Sequence, residues 1–133
     1  MRTTLDTGRL LSLDGDQRAT ALAARFSGFN PEPLGGAPKE LVAMGRKIFE
    51  DGVPDENVAA CAACHGPEAT GWGPIPRLAG QLYPYVVKAL TSWGAERGQN
   101  PAKPDTSAIM SPVAHSLSKS QIEAVAAYVS SLR

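Results

Sequence analysis

Apolar positions recur at helical spacing in three stretches of the chain. From about Pro38 to Glu50, Leu41, Gly45, Ile48 and Phe49 share one face, the i, i+4, i+7, i+8 pattern of an amphipathic helix. Proline stands in the first turn and Asp51-Gly52 stops the helix, as expected of these residues. A second helix is predicted from about Tyr83 to Trp93. Val86, Leu90 and Trp93 line up, Pro84 suits the first turn and Gly94 ends it. The third has the strongest local signal. Ser118 and Gln121 form an S-x-x-Q capping box, Leu117 and Ile122 stand at the staple positions, and Ile122, Val125, Ala126, Val129 and Leu132 form an apolar face. No stretch alternates with period two, so the chain reads as all-α.

Ahead of these helices, residues 1–34 end in the turn-rich segment NPEPLGG, which reads as a linker. Within them Asp14 and Gln17 repeat the capping pattern, and Leu22, Phe26 and Phe29 give helical apolar spacing. The stretch SLDGDQRATALAARFSGF resembles SLSKSQIEAVAAYVSSL at the C-terminus, with one residue inserted. The expected division is therefore a helical extension over 1–34 and a main domain over 35–133. Between the predicted helices of that domain lie two loops, GPEATGWGPIPRLAG and GQNPAKPDTSAIMSP. Irregular loops of this length are uncommon and usually functional. Flanking so small a helical core, they call for something large to pack against.

The 133 residues suit one domain. Thirteen basic and thirteen acidic side chains cancel, which argues against a nucleic-acid binder. No apolar run reaches the roughly 18 residues of a membrane span, and the first 30 residues hold no signal-peptide core. If the protein works outside the cytoplasm, this chain is a mature or trimmed form.

Both cysteines of the chain fall in CAACHG, residues 61–66. Zinc needs four tetrahedral ligands. The thiol and imidazole donors are only Cys61, Cys64, His65 and His115, and a histidine fused to the second cysteine cannot easily turn onto the same ion. A redox dithiol needs a βαβ setting, and none is visible. Two cysteines of purely structural role would leave the loops without a filler. C-x-x-C-H is the signature of c-type haem attachment: Cys61 and Cys64 form thioethers to the porphyrin vinyl groups, and His65 ligates the iron. Candidates for the sixth ligand are Met1, Met44, Met110 and His115. A thioether raises the haem potential. Met110, in the irregular second loop just before Pro112, is favoured over His115, which reads as an exposed loop histidine.

With these residues in hand, the chain from about residue 38 onward resembles class I c-type cytochromes. It is most similar to the bacterial periplasmic c4-type, diheme cytochromes and their single-haem relatives. The resemblance rests on CAACHG, PRLAGQ (Pro76 to Gln81), YVVKAL (Tyr85 to Leu90), ERGQN around Arg97, MSPVAHSLS with Met110, Ala114 and Leu117, and AAYVSSL with Tyr128. It implies a class I cytochrome c fold, three main helices around one covalent haem c, with the N-terminal helical extension added. It implies that Met110 is the axial methionine and that the Pro76 carbonyl accepts the His65 Nδ1–H bond. It also implies that Gly45 and Tyr128 meet where the first and last helices cross. Tyr85, Trp93 and Arg77 are expected near the haem rim, with surface and core as the plainer readings of Arg77 and Trp93.

The implied function is periplasmic electron transfer by a low-spin His/Met haem cycling between Fe(II) and Fe(III), with no catalysis at the iron. Redox partner proteins would dock at the exposed haem edge. The alternative is a cytochrome domain or subunit of a larger periplasmic dehydrogenase or oxidase, and a gas or redox sensor is a third class. Setting aside Arg2, Arg9, Arg18, Arg25, Asp6, Asp14, Asp16 and Glu32 leaves nine charges of each sign in residues 35–133, so strong electrostatic steering is not expected. Residues 1–34 read either as the tail of a preceding haem-binding domain or as a helical extension of this one.

Overall fold

Both capping boxes close. In the computed structural model, which describes residues 12–97, 102 and 105–133, the Gln17 N–H donates to Asp14 Oδ1 at 2.8 Å and the Asp14 N–H to Gln17 Oε1 at 3.2 Å. Helix α1, Gly15–Ser27, follows from that cap. The same reciprocal pair joins Ser118 and Gln121, at 3.3 and 2.8 Å, and opens the last helix, α7, Lys119–Ser131. Satisfying two orphan donors at the first turn stabilises a helix start by about 1 kcal/mol. The remaining helices are α2, Val42–Asp51, entered through a 3-10 turn Lys39–Leu41; α3, Ala62–His65; α4, Tyr83–Thr91; α5, Trp93–Glu96; and α6, Ser107–Ser116. Among the described residues there is no strand, only isolated bridges at Val53–Val58 and Trp72–Ile75.

The chain divides into two units between Pro31 and Glu32, three residues before the expected boundary. Within the first unit α1 buries none of its residues. Phe26 is 59% exposed, and it meets Phe29 edge-on with ring centroids 5.3 Å apart.

The core of the second unit is built by α7 against α2 and α4. Ile48, Phe49, Val86, Leu90, Ile122, Val125, Ala126, Tyr128 and Val129 are buried together. The crossing of α2 and α7 is closer than side chains would allow. A Cβ added at Gly45 would run into the Ala124 carbonyl and come within 2.8 Å of the Tyr128 Cβ. The glycine on the apolar face of the first predicted helix is thus the contact point of the first and last helices of the unit. Phe49 lies one turn further along and packs on the Tyr128 ring, centroids 5.3 Å apart.

Two expectations are corrected. Gly94 does not end the second helix: after a turn at Ser92 the backbone coils again through α5, with Gly94 inside it. An interior glycine costs only about 1 kcal/mol. Nor is the second loop irregular throughout. Its last residues, with Met110, belong to α6, and Pro112 lies inside that helix. Proline there removes the bond to the Ala108 carbonyl, but Ala108 is exposed, so water can take the lost partner's place.

Gly45→Ala should lower the stability of the haem-loaded protein by about 3 kcal/mol, because the clash is with backbone that cannot turn aside. Gly94→Ala, with open space around its position, should change it by less than about 1 kcal/mol. Denaturant melts of the two variants measure the difference.

Candidate functional site

Phe49 and Val58, both buried, anchor the approach to CAACHG. The motif then coils into the single turn α3, with Cys61 at its N-cap and His65 as its last residue. Cys61 is half-buried and Cys64 exposed, and the two thiols are free rather than joined. Burial pushes the Cys61 thiol up to about 11. A redox dithiol needs the opposite, a lowered thiol pKa that yields a thiolate near neutrality. Among the described residues no three of His, Cys, Asp and Glu converge as a metal cluster, so Cys61, Cys64 and His65 do not form a cradle for one ion.

His65 is only 5% exposed and, with Ser130, is a buried polar side chain of the core. Its Nδ1 lies 2.9 Å from the Pro76 carbonyl. A carbonyl can only accept, so Nδ1 carries a proton, and in the neutral ring Nε2 then keeps the lone pair needed to bind a metal. The loop that supplies Pro76 is well fixed. Leu78 and Ala79 N–H groups both donate to the Ala69 carbonyl, at 2.8 and 3.0 Å, and the Gly80 N–H donates to the Val129 carbonyl of α7 at 2.9 Å. Two thiols one turn apart and a buried imidazole locked in the metal-binding tautomer are the donor set that covalent haem requires. The residues fit the group.

Met110 is partly buried and packs against the core from α6, as does Val113. His115, on the same helix, is exposed. It lines a cavity of about 270 Å³ with Leu90, Thr91, Trp93, Ser111 and Ala114. Cys61, Cys64, His65 and Met110 do not line this hollow, and we assign the site from the donor set. Met110 and His115 therefore sit in different surroundings, one on the core and one on a surface cavity.

The remaining expected residues fall into two groups. Trp93 is half-buried, and its Nε1–H donates to the Ser107 carbonyl at 2.9 Å, which ties α5 to the first turn of the Met110 helix. Tyr85 is 49% exposed, and its hydroxyl accepts from the Arg97 guanidinium at 3.5 Å. Arg77 is exposed and folds back on its own loop, donating from Nε to the Ala79 carbonyl at 3.1 Å. Two residues went unassigned in the sequence. Arg97 lies over the Trp93 ring, 4.4 Å from its centroid, and the quoted ERGQN motif was its signal. Trp72 donates from its indole to the Cys64 carbonyl at 3.2 Å; its signal was a tryptophan between two glycines.

A helical core with a CxxCH turn and a buried, carbonyl-anchored histidine defines a c-type cytochrome. The sequence matches the cytochrome c family model over residues 42–133, and the chain belongs to that family. It is 38% identical over 116 residues to cytochrome c-552 of Acidithiobacillus ferridurans, covering 86% of this chain and 47% of that protein. The chain thus spans about half the length of that relative. Reduced recombinant cytochrome c4 from Pseudomonas stutzeri superposes with a TM-score of 0.71 at 36% identity, over 99% of this chain and 68% of that one. Thiosulfate dehydrogenase (TsdBA) from Marichromatium purpuratum matches at 33% identity and a TM-score of 0.70, over 91% of this chain and 25% of that chain. Haem c, covalently bound, is the cofactor of this family, and Cys61 and Cys64 of this chain stand in its C-x-x-C-H motif with His65 following.

Thioether attachment makes a direct prediction. The purified holoprotein should retain one haem per chain through extraction with acidified organic solvent, and neither Cys61 nor Cys64 should react with a thiol reagent. Mass spectrometry of the extracted protein reads both.

Proposed function

We propose that the chain works as a one-electron carrier of the periplasm, with His65 and Met110 as the axial ligands of its haem. When bound, the haem supplies the Fe(II)/Fe(III) couple. Every other contribution comes from side chains of this protein. Cys61 and Cys64 tether the group at α3. His65 keeps its Nδ1 proton on the Pro76 carbonyl, which orients the ring and raises its basicity. Met110 offers a thioether from the core face of α6, and the Trp93–Ser107 bond holds the start of that helix. Val58, Leu90 and Leu117, all buried, help to exclude water. The single observation that carries this reading is the buried His65 ring with its Nδ1 committed at 2.9 Å. Among the described residues no helix is long and apolar enough to cross a membrane. The carrier exchanges electrons with redox partner proteins. Those partners dock at the exposed haem edge through a modest, transient interface.

Met110→Ala should turn the ferric iron high-spin and lower its potential, within the roughly 0.8 V that axial ligation spans. His115→Ala should leave both the spectrum and the potential as they are. A Met110→Ala protein that stays low-spin would assign the ligand elsewhere.

Residues 1–34 are proposed as the tail of a preceding cytochrome domain. The support is the matching capping boxes of α1 and α7, the exposed Leu22, Phe26 and Phe29, and a cytochrome c4 that matches 99% of this chain and extends beyond it. A reading frame with a second CxxCH upstream is the expected finding. A frame with none would make α1 an extension belonging to this domain. The match to thiosulfate dehydrogenase favours a second reading, in which the domain relays electrons as part of a larger dehydrogenase or oxidase. Purification from the native host separates the two: a carrier elutes alone, and a relay subunit elutes with its enzyme.

A further inference from the structure

A four-residue helix cannot satisfy its own C-terminal carbonyls, and α3 ends on the residue that matters most, His65. The loop Gly71–Pro76 supplies the missing partners. The Gly71 N–H donates to the His65 carbonyl at 2.9 Å. The Trp72 indole N–H donates to the Cys64 carbonyl at 3.2 Å. The Pro76 carbonyl takes the His65 ring proton at 2.9 Å. One short segment thus holds His65 at its ring, at its own carbonyl and at the carbonyl before it.

The segment is built to be rigid. Trp72 and Ile75 exchange backbone N–H···O bonds, both 2.9 Å. Gly71 has φ 69°, and a Cβ there would strike the Ile75 carbonyl. This closed loop places the Trp72–Ile75 pair directly before Pro76. Any displacement at Trp72 is therefore transmitted to the carbonyl that orients the imidazole. Trp72 is 67% exposed, so burial among the protein's own side chains contributes little, and its indole N–H is directed to the Cys64 carbonyl.

We propose that Trp72 is a positioning residue for the haem-bearing turn: its indole N–H fixes the Cys64–His65 peptide, and through the Trp72–Ile75 pair it sets the hydrogen bond between Pro76 and the His65 ring. The proposal rests on the reading of His65 as an axial ligand. Because histidine basicity follows the strength of that hydrogen bond, Trp72 tunes the reduction potential without touching the iron.

The test compares two variants of the holoprotein. Trp72→Phe keeps an aromatic ring and removes the donor; Trp72→Gln keeps a donor and removes the ring. Hydrogen exchange of the His65 Nδ1–H, followed by NMR on the ferrous protein, should speed up about fivefold in Trp72→Phe, the effect of one net hydrogen bond, and the potential should shift with it. Trp72→Gln should restore both toward wild type. Unchanged exchange and potential in Trp72→Phe, or equal changes in both variants, would overturn the proposal. Wild-type protein gives a further check that needs no variant: the Trp72 indole N–H should exchange more slowly than a free indole, and exchange at the free rate refutes the bond. If His65 were not a ligand, the wild-type spectrum would already lack its low-spin signature, so the two failures are told apart.

Discussion

The close approach of α2 and α7 at Gly45 is the constraint on which the rest of the second unit depends. Because a hydrogen stands where a side chain would be, the Ala124 carbonyl and Tyr128 can sit directly on the α2 backbone. That contact brings Phe49 onto the Tyr128 ring and leaves Val58 buried just ahead of CAACHG. The haem-bearing turn is therefore attached to the helix crossing at the core of the second unit. At the other end of the loop, the Gly80–Val129 bond fastens the return strand of chain to the same helix. Both ends of the segment that carries His65 and Pro76 are thus referred to α7.

Such anchoring suits an electron carrier. Electron transfer is fast when little has to move between redox states, and a ligand held by packing and hydrogen bonds on both sides has little freedom to move. His65 is buried, its proton is committed, and the peptide before it is capped by Trp72. On the other side, Met110 rides on a helix whose first turn is pinned by Trp93, itself covered by Arg97. The two axial candidates are thus supported by two separate networks, one in the loop after CAACHG and one joining α4, α5 and α6.

Features with local causes were legible in the sequence. The two capping boxes depend on residues three apart, and CxxCH carries its chemistry in five consecutive positions. At Gly45 the residue alone fitted a close crossing and a merely tolerated glycine equally well, and the family resemblance decided for the crossing with Tyr128. What escaped was set by tertiary context. Pro112, with Pro104 and a polar run before it, spoke for an irregular loop around Met110, yet α6 runs through Pro112, and Ala108, the residue whose carbonyl loses its helical partner, is exposed. Gly94 spoke for a stop, yet a glycine is only a weak breaker. Trp72, in a glycine- and proline-rich loop, went unassigned in the sequence. Its importance appears only when the loop closes on Cys64, a contact between residues eight apart that no periodicity announces.

The central claim is that both axial positions of the iron are filled by side chains of this protein, so that the haem carries electrons and binds no substrate. Carbon monoxide added to the reduced holoprotein tests it most directly, since it competes only for an open or labile position. The account predicts an absorption spectrum that does not change. Rapid formation of a carbon monoxide complex would contradict it and would place the protein among sensors or catalysts.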